Sequence, residues 1–162
     1  MIQLVCFDID GVLTDGNLLI DQNGNELKSF RLTEIDALND IKRMGLMIAA
    51  ITGENTPIVD VFRRRVNWDK FVSGRKDKLS EVKQMEKQFG ITYKDICYIG
   101  DGKYDIPAIK YVGLGICPKN AIAEAKAAAD VILNGSGGST CVYELYLMLK
   151  DMKDKNVSKE ER

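Results

Sequence analysis

Residues 4–16 read Leu4-Val5-Cys6-Phe7-Asp8-Ile9-Asp10-Gly11-Val12-Leu13-Thr14-Asp15-Gly16, and this stretch decides the fold. Four apolar residues predict a short buried strand, with two carboxylates following at its C-terminal end. Residues i and i+2 of an extended chain point the same way, so Asp8 and Asp10 stand side by side at the strand tip. Gly11 lets the chain turn there and brings backbone N–H groups close to whatever binds. Two adjacent carboxylates repel, and a divalent cation or a shared proton relieves the repulsion. The plainer alternative, a helix-capping aspartate beside a solvated one, uses the same residues.

Working outward, strand-like and helix-like segments alternate. Leu18 to Phe30 carries Asn23-Gly24 between two strand-like runs, a hairpin signal, and predicts a ribbon over about residues 17–31 that leaves the sheet. Ile35, Leu38 and Ile41 recur at helical spacing up to Gly45, and Met47–Ile51 is apolar throughout, as a central parallel strand is. Thr56-Pro57 opens the next helix. Phe71–Ser73, Ile96–Ile99, Leu114–Cys117 and Val131–Leu133 read as strands, with helical patterns before and between them. Val142, Leu145, Tyr146 and Leu149 line a last amphipathic helix, and the polar stretch from Lys150 is expected to fray. The alternation argues a parallel α/β sheet with helices on both faces, in one domain over residues 1–150 with a polar tail at 151–162.

Composition narrows the function. The chain has 162 residues, 45% hydrophobic, which suits one domain with a sizeable core, and a formal net charge of −1 offers no field for nucleic acid or an anionic membrane. No apolar run approaches a membrane span and none resembles a leader peptide, so a cytoplasmic protein is expected. The four cysteines are scattered without a C-x-x-C pair, and histidine is absent. Catalytic triads and dyads built on histidine are therefore excluded. Chemistry has to run on carboxylates, lysines, hydroxyls and backbone groups.

In an open α/β sheet the site lies beyond the carboxyl ends of the strands. The polar clusters stand there: Asp8 and Asp10, Thr52-Gly53-Glu54, Lys78, and Asp101 with Asp105. Asp8 suits covalent nucleophilic attack, and Asp10 suits proton donation to a leaving group. Thr52 and Gly53 can donate to the oxygens of an anionic ligand, and Lys78 supplies fixed charge. Asp101 and Asp105 with Asp8 make a hard oxygen site for Mg²⁺, while Asp105 equally suits a cap of the helix at Ile106-Pro107. Singly, each residue also has an ordinary structural reading.

Taken in order, D-x-D-G, a hydrophobic run ending in Thr-Gly, a lysine and G-D-x-x-x-D resemble the motifs of haloacid dehalogenase-like phosphatases, over about residues 4 to 150. The run is most similar to the small, cap-less branch acting on phosphorylated 2-keto-3-deoxy sugar acids such as 3-deoxy-D-manno-octulosonate (KDO) 8-phosphate, a step of lipopolysaccharide biosynthesis. The resemblance implies a Rossmann-like fold with a projecting β-hairpin in place of a cap. It implies Asp8 as nucleophile through an aspartyl phosphate, Asp10 as acid/base, and Thr52 and Lys78 holding the phosphoryl group. Gly11, Gly53 and Glu54 would face substrate. Asp8, the Asp10 carbonyl and Asp101, supported by Asp105, would bind Mg²⁺, and the hairpin would build a homotetramer.

Departures are also legible. The branch reads Thr-Gly-Arg where this chain has Thr52-Gly53-Glu54, and glutamate there resembles phosphatases of nine-carbon sugar acid 9-phosphates (nonulosonates). An arginine expected ten residues on falls at Phe62, followed by Arg63-Arg64-Arg65, which either replace it in a shifted register or form a solvated face, the reading favoured here. Tyr143 stands where a C-terminal arginine is usual, beside a matching Glu144, and Gly100-Asp101-Gly102 lacks a second carboxylate. Alternative readings are a nonulosonate 9-phosphate phosphatase and a weakly catalytic assembly module related to sugar-acid cytidylyltransferases.

Overall fold

The computed structural model describes the backbone of residues 1–160 and the side chains of residues 1–155. The chain opens with β1 (Leu4–Phe7) and makes a hairpin of β2 (Leu19–Ile20) and β3 (Glu26–Leu27) before α1 (Leu32–Arg43). Then follow β4 (Met47–Ile51), α2 (Pro57–Arg65), β5 (Lys70–Val72), α3 (Lys78–Phe89) and β6 (Ile96–Ile99). The chain continues with α4 (Ile106–Tyr111), β7 (Leu114–Cys117), α5 (Ala123–Ala128), β8 (Val131–Ile132) and α6 (Cys141–Glu160). Six strands form one parallel sheet in the order β5-β4-β1-β6-β7-β8. The order reverses between β1 and β6, the Rossmann-like switch point where such sheets place their ligands.

Alternation along β1 divides the core. Val5 and Phe7 pack among Leu38, Ile41, Phe62, Leu145 and Leu149 of α1, α2 and α6. Leu4 and Cys6 face Val82, Met85, Ile109 and Ala125 of α3, α4 and α5. Both faces of the sheet are covered, which is why the strands read as unbroken apolar runs. Each fully buried large apolar side chain contributes about 1.5–3 kcal/mol. That packing, rather than propensity, holds α4 and α5, which at six residues each are too short to form alone. All four cysteines are free and buried, as scattered core thiols are.

Three local expectations are refined. Thr56 does precede α2, but its hydroxyl makes no capping bond. The hairpin closes through Asp21 and Asn25 around the three-residue turn Gln22-Asn23-Gly24, with Gly24 at φ 82°, rather than through a two-residue Asn-Gly turn. The segment from Lys150 is helical rather than irregular: α6 runs on to Glu160, and residues 161–162 lie outside the described residues. No glycine or proline interrupts it, Asp151 pairs with Lys155, and Lys153 donates to the Met44 carbonyl at 2.6 Å.

The hairpin stands off the sheet. Leu19 pairs with Leu27, and Leu18, Leu19, Ile20 and Leu27 are all exposed. An isolated bridge between Thr14 and Phe30 pins its base. Among the described residues no helix is long and apolar enough to cross a membrane.

Candidate active site

The register Phe7↔Ile99 sets the tips of β1 and β6 level, and the Asp8 N–H donates to the Ile99 carbonyl at 3.0 Å. Asp8 and Asp101 therefore leave adjacent strands at the switch point. The turn after Asp8 is tight, with Val12, Leu13 and Thr14 N–H groups all donating to the Ile9 carbonyl. Gly11 adopts φ 84°, and a Cβ there would run into the Asp101 carboxylate. At Gly100 a Cβ would run into Asp105 in the same way. The two glycines make room for two carboxylates.

Lys78, the first residue of α3, points back over the strand ends. Its Nζ lies 2.6 Å from Asp8 Oδ2 and 2.8 Å from Asp105 Oδ1. Tyr98, on the α3 side of β6, donates its hydroxyl to the same Asp105 oxygen at 2.6 Å. Asp105 Oδ2 accepts the Asp101 and Gly102 N–H groups at 3.1 and 2.9 Å. Both oxygens of Asp105 are thus occupied by protein donors. Its side chain secures the loop after β6 and does not cap α4. The other Asp8 oxygen accepts the Ile9 N–H at 2.7 Å.

Electrostatics follow from this crowding. Burial and the Asp105 carboxylate raise Asp8 well above the usual carboxylate range, against the pull of Lys78. Burial, then Asp105, push Asp101 up to about 6. Burial pulls the Lys78 pKa down, but Asp8 and Asp105 outweigh it and hold the pKa above the ordinary lysine value. Asp8, Asp101 and Asp105 each bring an oxygen within 4.8 Å of the others. Three carboxylates around one ammonium leave a surplus of two negative charges, which a divalent cation matches. The donor set is all hard oxygen, and the residues fit a metal ion.

These groups line a cleft of about 340 Å³ that also includes Asp10, Gly53, Glu54, Lys76 and Tyr104. Thr52 is fully buried beside it. Its Oγ1 accepts the Glu54 N–H at 3.1 Å, which leaves the hydroxyl proton to donate elsewhere. Gly11 does not face the cleft with its N–H, which goes to Thr14 Oγ1 at 3.3 Å, so its part is steric. No arginine lines the cleft among the described residues. Arg63 lies over Phe71 and donates to Ser73, and Arg65 lies over Phe30, so the triplet is an exposed face of α2.

Sequence reasoning missed four contributors. Tyr98 reads as core, Lys28 as a hairpin surface residue, and Lys76 and Tyr104 as loop. Lys28 pairs with Asp10 at 2.6 Å, and the Lys76 and Lys103 ammonium groups lie 5.3 and 5.0 Å from the exposed Tyr104 ring. The glycine stretch docks on the motif turn: Gly138 donates to the Val12 carbonyl, and Asn120 ties Gly137 to Gly11. Glu144 accepts from Asn134 and Gly135, while Tyr143 stays half-exposed against Tyr146.

Such a fold and site define an α/β protein with a metal-competent carboxylate centre at the switch point of a parallel sheet. The sequence profile of haloacid dehalogenase-like hydrolases matches residues 13–137, and the chain belongs to that family, as one of its phosphatases. It is similar to the 3-deoxy-D-manno-octulosonate 8-phosphate phosphatase of Haemophilus influenzae, 31% identical over 158 residues, covering 96% of this chain and 86% of the relative. Among solved structures it superposes on the Moraxella catarrhalis enzyme of that name, in complex with magnesium ion, phosphate ion and KDO. The TM-score is 0.88 at 30% identity, over 98% of this chain and 92% of that one. The cobalt-bound Haemophilus influenzae phosphatase gives a TM-score of 0.85 at 31% identity, over 91% of this chain and 86% of that one.

Proposed function

We propose that this protein is a Mg²⁺-dependent phosphatase that hydrolyses the phosphomonoester of a 2-keto-3-deoxy sugar acid, with KDO 8-phosphate as substrate. The observation that carries the reading is the Asp8 carboxylate. It is buried at the cleft, with one oxygen on the Ile9 N–H and the other on Lys78, and Asp10 stands two residues on. A buried carboxylate so held has one rotamer and presents the same oxygen to each substrate.

In this reading Asp8 attacks phosphorus while the ester P–O bond breaks, and Asp10 gives its proton to the departing alcohol oxygen. Water then attacks the aspartyl phosphate, Asp10 takes a water proton, and inorganic phosphate leaves with the Asp8 carboxylate restored. Thr52 and the Gly53 N–H hold phosphoryl oxygens, and Lys78 stabilises their charge. Asp8, the Asp10 carbonyl and Asp101 hold Mg²⁺, with Asp105 securing the loop behind them. Bound there, the ion neutralises the carboxylates and the phosphoryl group.

Lys76 at the cleft wall supplies a cation for the sugar acid carboxylate where the branch uses arginine, as a point charge rather than a planar fork. One observation favours a second substrate: Glu54 lines the cleft, the feature that resembles nonulosonate 9-phosphate phosphatases. The exposed Leu18, Leu19, Ile20 and Leu27 support assembly through the hairpin into a homotetramer, and the free buried thiols suit a reducing, cytoplasmic setting.

The test is phosphate release from KDO 8-phosphate, a nonulosonate 9-phosphate, hexose phosphates and p-nitrophenyl phosphate, each with and without Mg²⁺. A preference for one keto acid phosphate, abolished by EDTA and by Asp8→Asn, is expected. Activity of the Asp8→Asn variant above about one hundredth of wild type removes Asp8 as nucleophile.

A further inference from the structure

We infer that Lys28, carried on the hairpin, is a positioning residue for the acid/base Asp10; the inference rests on the proposed role of Asp10. Lys28 follows the exposed strand β3, between exposed Leu27 and Ser29, yet its side chain is only 9% exposed. Its Nζ donates to Asp10 Oδ1 at 2.6 Å. Asp10 Oδ2 has no protein partner among the described residues, and Asp10, not Lys28, lines the cleft. The ammonium therefore grips the acid from outside the cleft and leaves one oxygen facing it.

The chain geometry that aims Lys28 is specific. The Thr14↔Phe30 bridge closes the hairpin two residues beyond Lys28 and four beyond Asp10, and the Thr14 N–H donates to the Ile9 carbonyl of the Asp8–Asp10 turn. Phe30 in turn packs on Phe62 of the core with ring centroids 5.1 Å apart. Both ends of the lysine-bearing segment are thus tied to the same turn that carries Asp10. An unpaired aspartate on a turn samples several rotamers, and only some direct an oxygen at the ester bond. A charge-assisted bond to one oxygen selects among them. Lys28 moves no proton and touches no substrate in this account.

A positioning role has a signature that loss of folding does not. Proton donation matters for an alkoxide leaving group and not for p-nitrophenolate, which departs without a proton. The ratio kcat/KM reports the steps through departure of the alcohol, so hydrolysis of the aspartyl phosphate does not enter it. The experiment compares kcat/KM for KDO 8-phosphate, or the alkyl phosphate that the panel prefers, with that for p-nitrophenyl phosphate. Wild type, Lys28→Met, Lys28→Arg and Asp10→Asn are measured with Mg²⁺.

For Lys28→Met the alkyl ester is expected to slow about 10- to 100-fold, less than the roughly 10²–10⁴ that the general acid itself contributes, and the aryl ester by less than about threefold. Lys28→Arg recovers most of the loss. Asp10→Asn shows the same selectivity, more strongly. Equal losses on both esters, or none, with Asp10→Asn still selective, overturn the assignment of Lys28 alone. An unselective Asp10→Asn overturns the acid role of Asp10, and the inference with it.

Discussion

Replacing Lys78 with Met tests the electrostatic account of the site most directly. The side chain is 4% exposed and its ammonium bridges Asp8 and Asp105, themselves 6% and 1% exposed as residues. Methionine keeps the stem and removes the charge, leaving two buried carboxylates facing each other. Breaking a buried pair from one side costs about 3–5 kcal/mol, against about 5–15 kcal/mol for a whole domain, so the variant folds but melts early. For a chain of this length that is roughly 6–20 °C in Tm.

The sign with pH is fixed by Asp8. Burial and Asp105 already raise it, and Lys78 opposes them; without Lys78 it rises further. A carboxyl with a raised folded-state pKa binds more protons folded than unfolded in the window above its unfolded value of 3.8, so stability falls as pH rises through that window. The deficit of Lys78→Met is therefore larger near about pH 7 than near about pH 5. Urea unfolding of both proteins in EDTA at the two pH values measures it. A deficit below about 1 kcal/mol, or one that does not shrink on acidification, refutes the reasoning.

Three further outcomes are expected. Gly11→Ala forces a Cβ onto Asp101 at φ 84°, so the Mg²⁺ concentration for half-maximal activity rises about tenfold or more with about 1–2 kcal/mol lost in stability; an unchanged Mg²⁺ dependence contradicts the cradle. Glu34, buried and raised by that burial, accepts the Val142 and Tyr143 N–H groups at the start of α6 at 2.7 and 3.4 Å. Glu34→Ala should cost about 1–3 kcal/mol in denaturant unfolding, and a neutral result means another group caps α6. Leu19→Lys with Leu27→Lys sets like charges opposite each other on the hairpin and should yield a smaller species on sizing; unchanged elution removes the hairpin from assembly.

The sheet was legible in the sequence because its signals are local. Runs such as Leu4–Phe7, Met47–Ile51 and Ile96–Ile99 are apolar at every position, which a strand covered on both faces requires. The paired carboxylates were legible for the same reason, since a spacing of two needs only an extended chain to bring Asp8 and Asp10 together. Positions beyond strand ends then gathered Thr52, Lys78, Asp101 and Asp105 at one edge.

What only the tertiary structure decided is which partner each charge takes. Lys78 and Asp105 are 27 residues apart, Lys28 and Asp10 are 18, and Glu34 reaches Val142 across 108. No periodicity marks such pairs, because a single charged residue looks alike in sequence whether water or a buried carboxylate receives it. Tyr98 looks like core and is core, yet its hydroxyl orders the loop that bears Asp101. The sequence by itself determined the parallel sheet, the strand ends that carry the site and the carboxylates that meet there. The folded chain decided their geometry, because burial removes water as a partner and makes each of those groups find another within the protein.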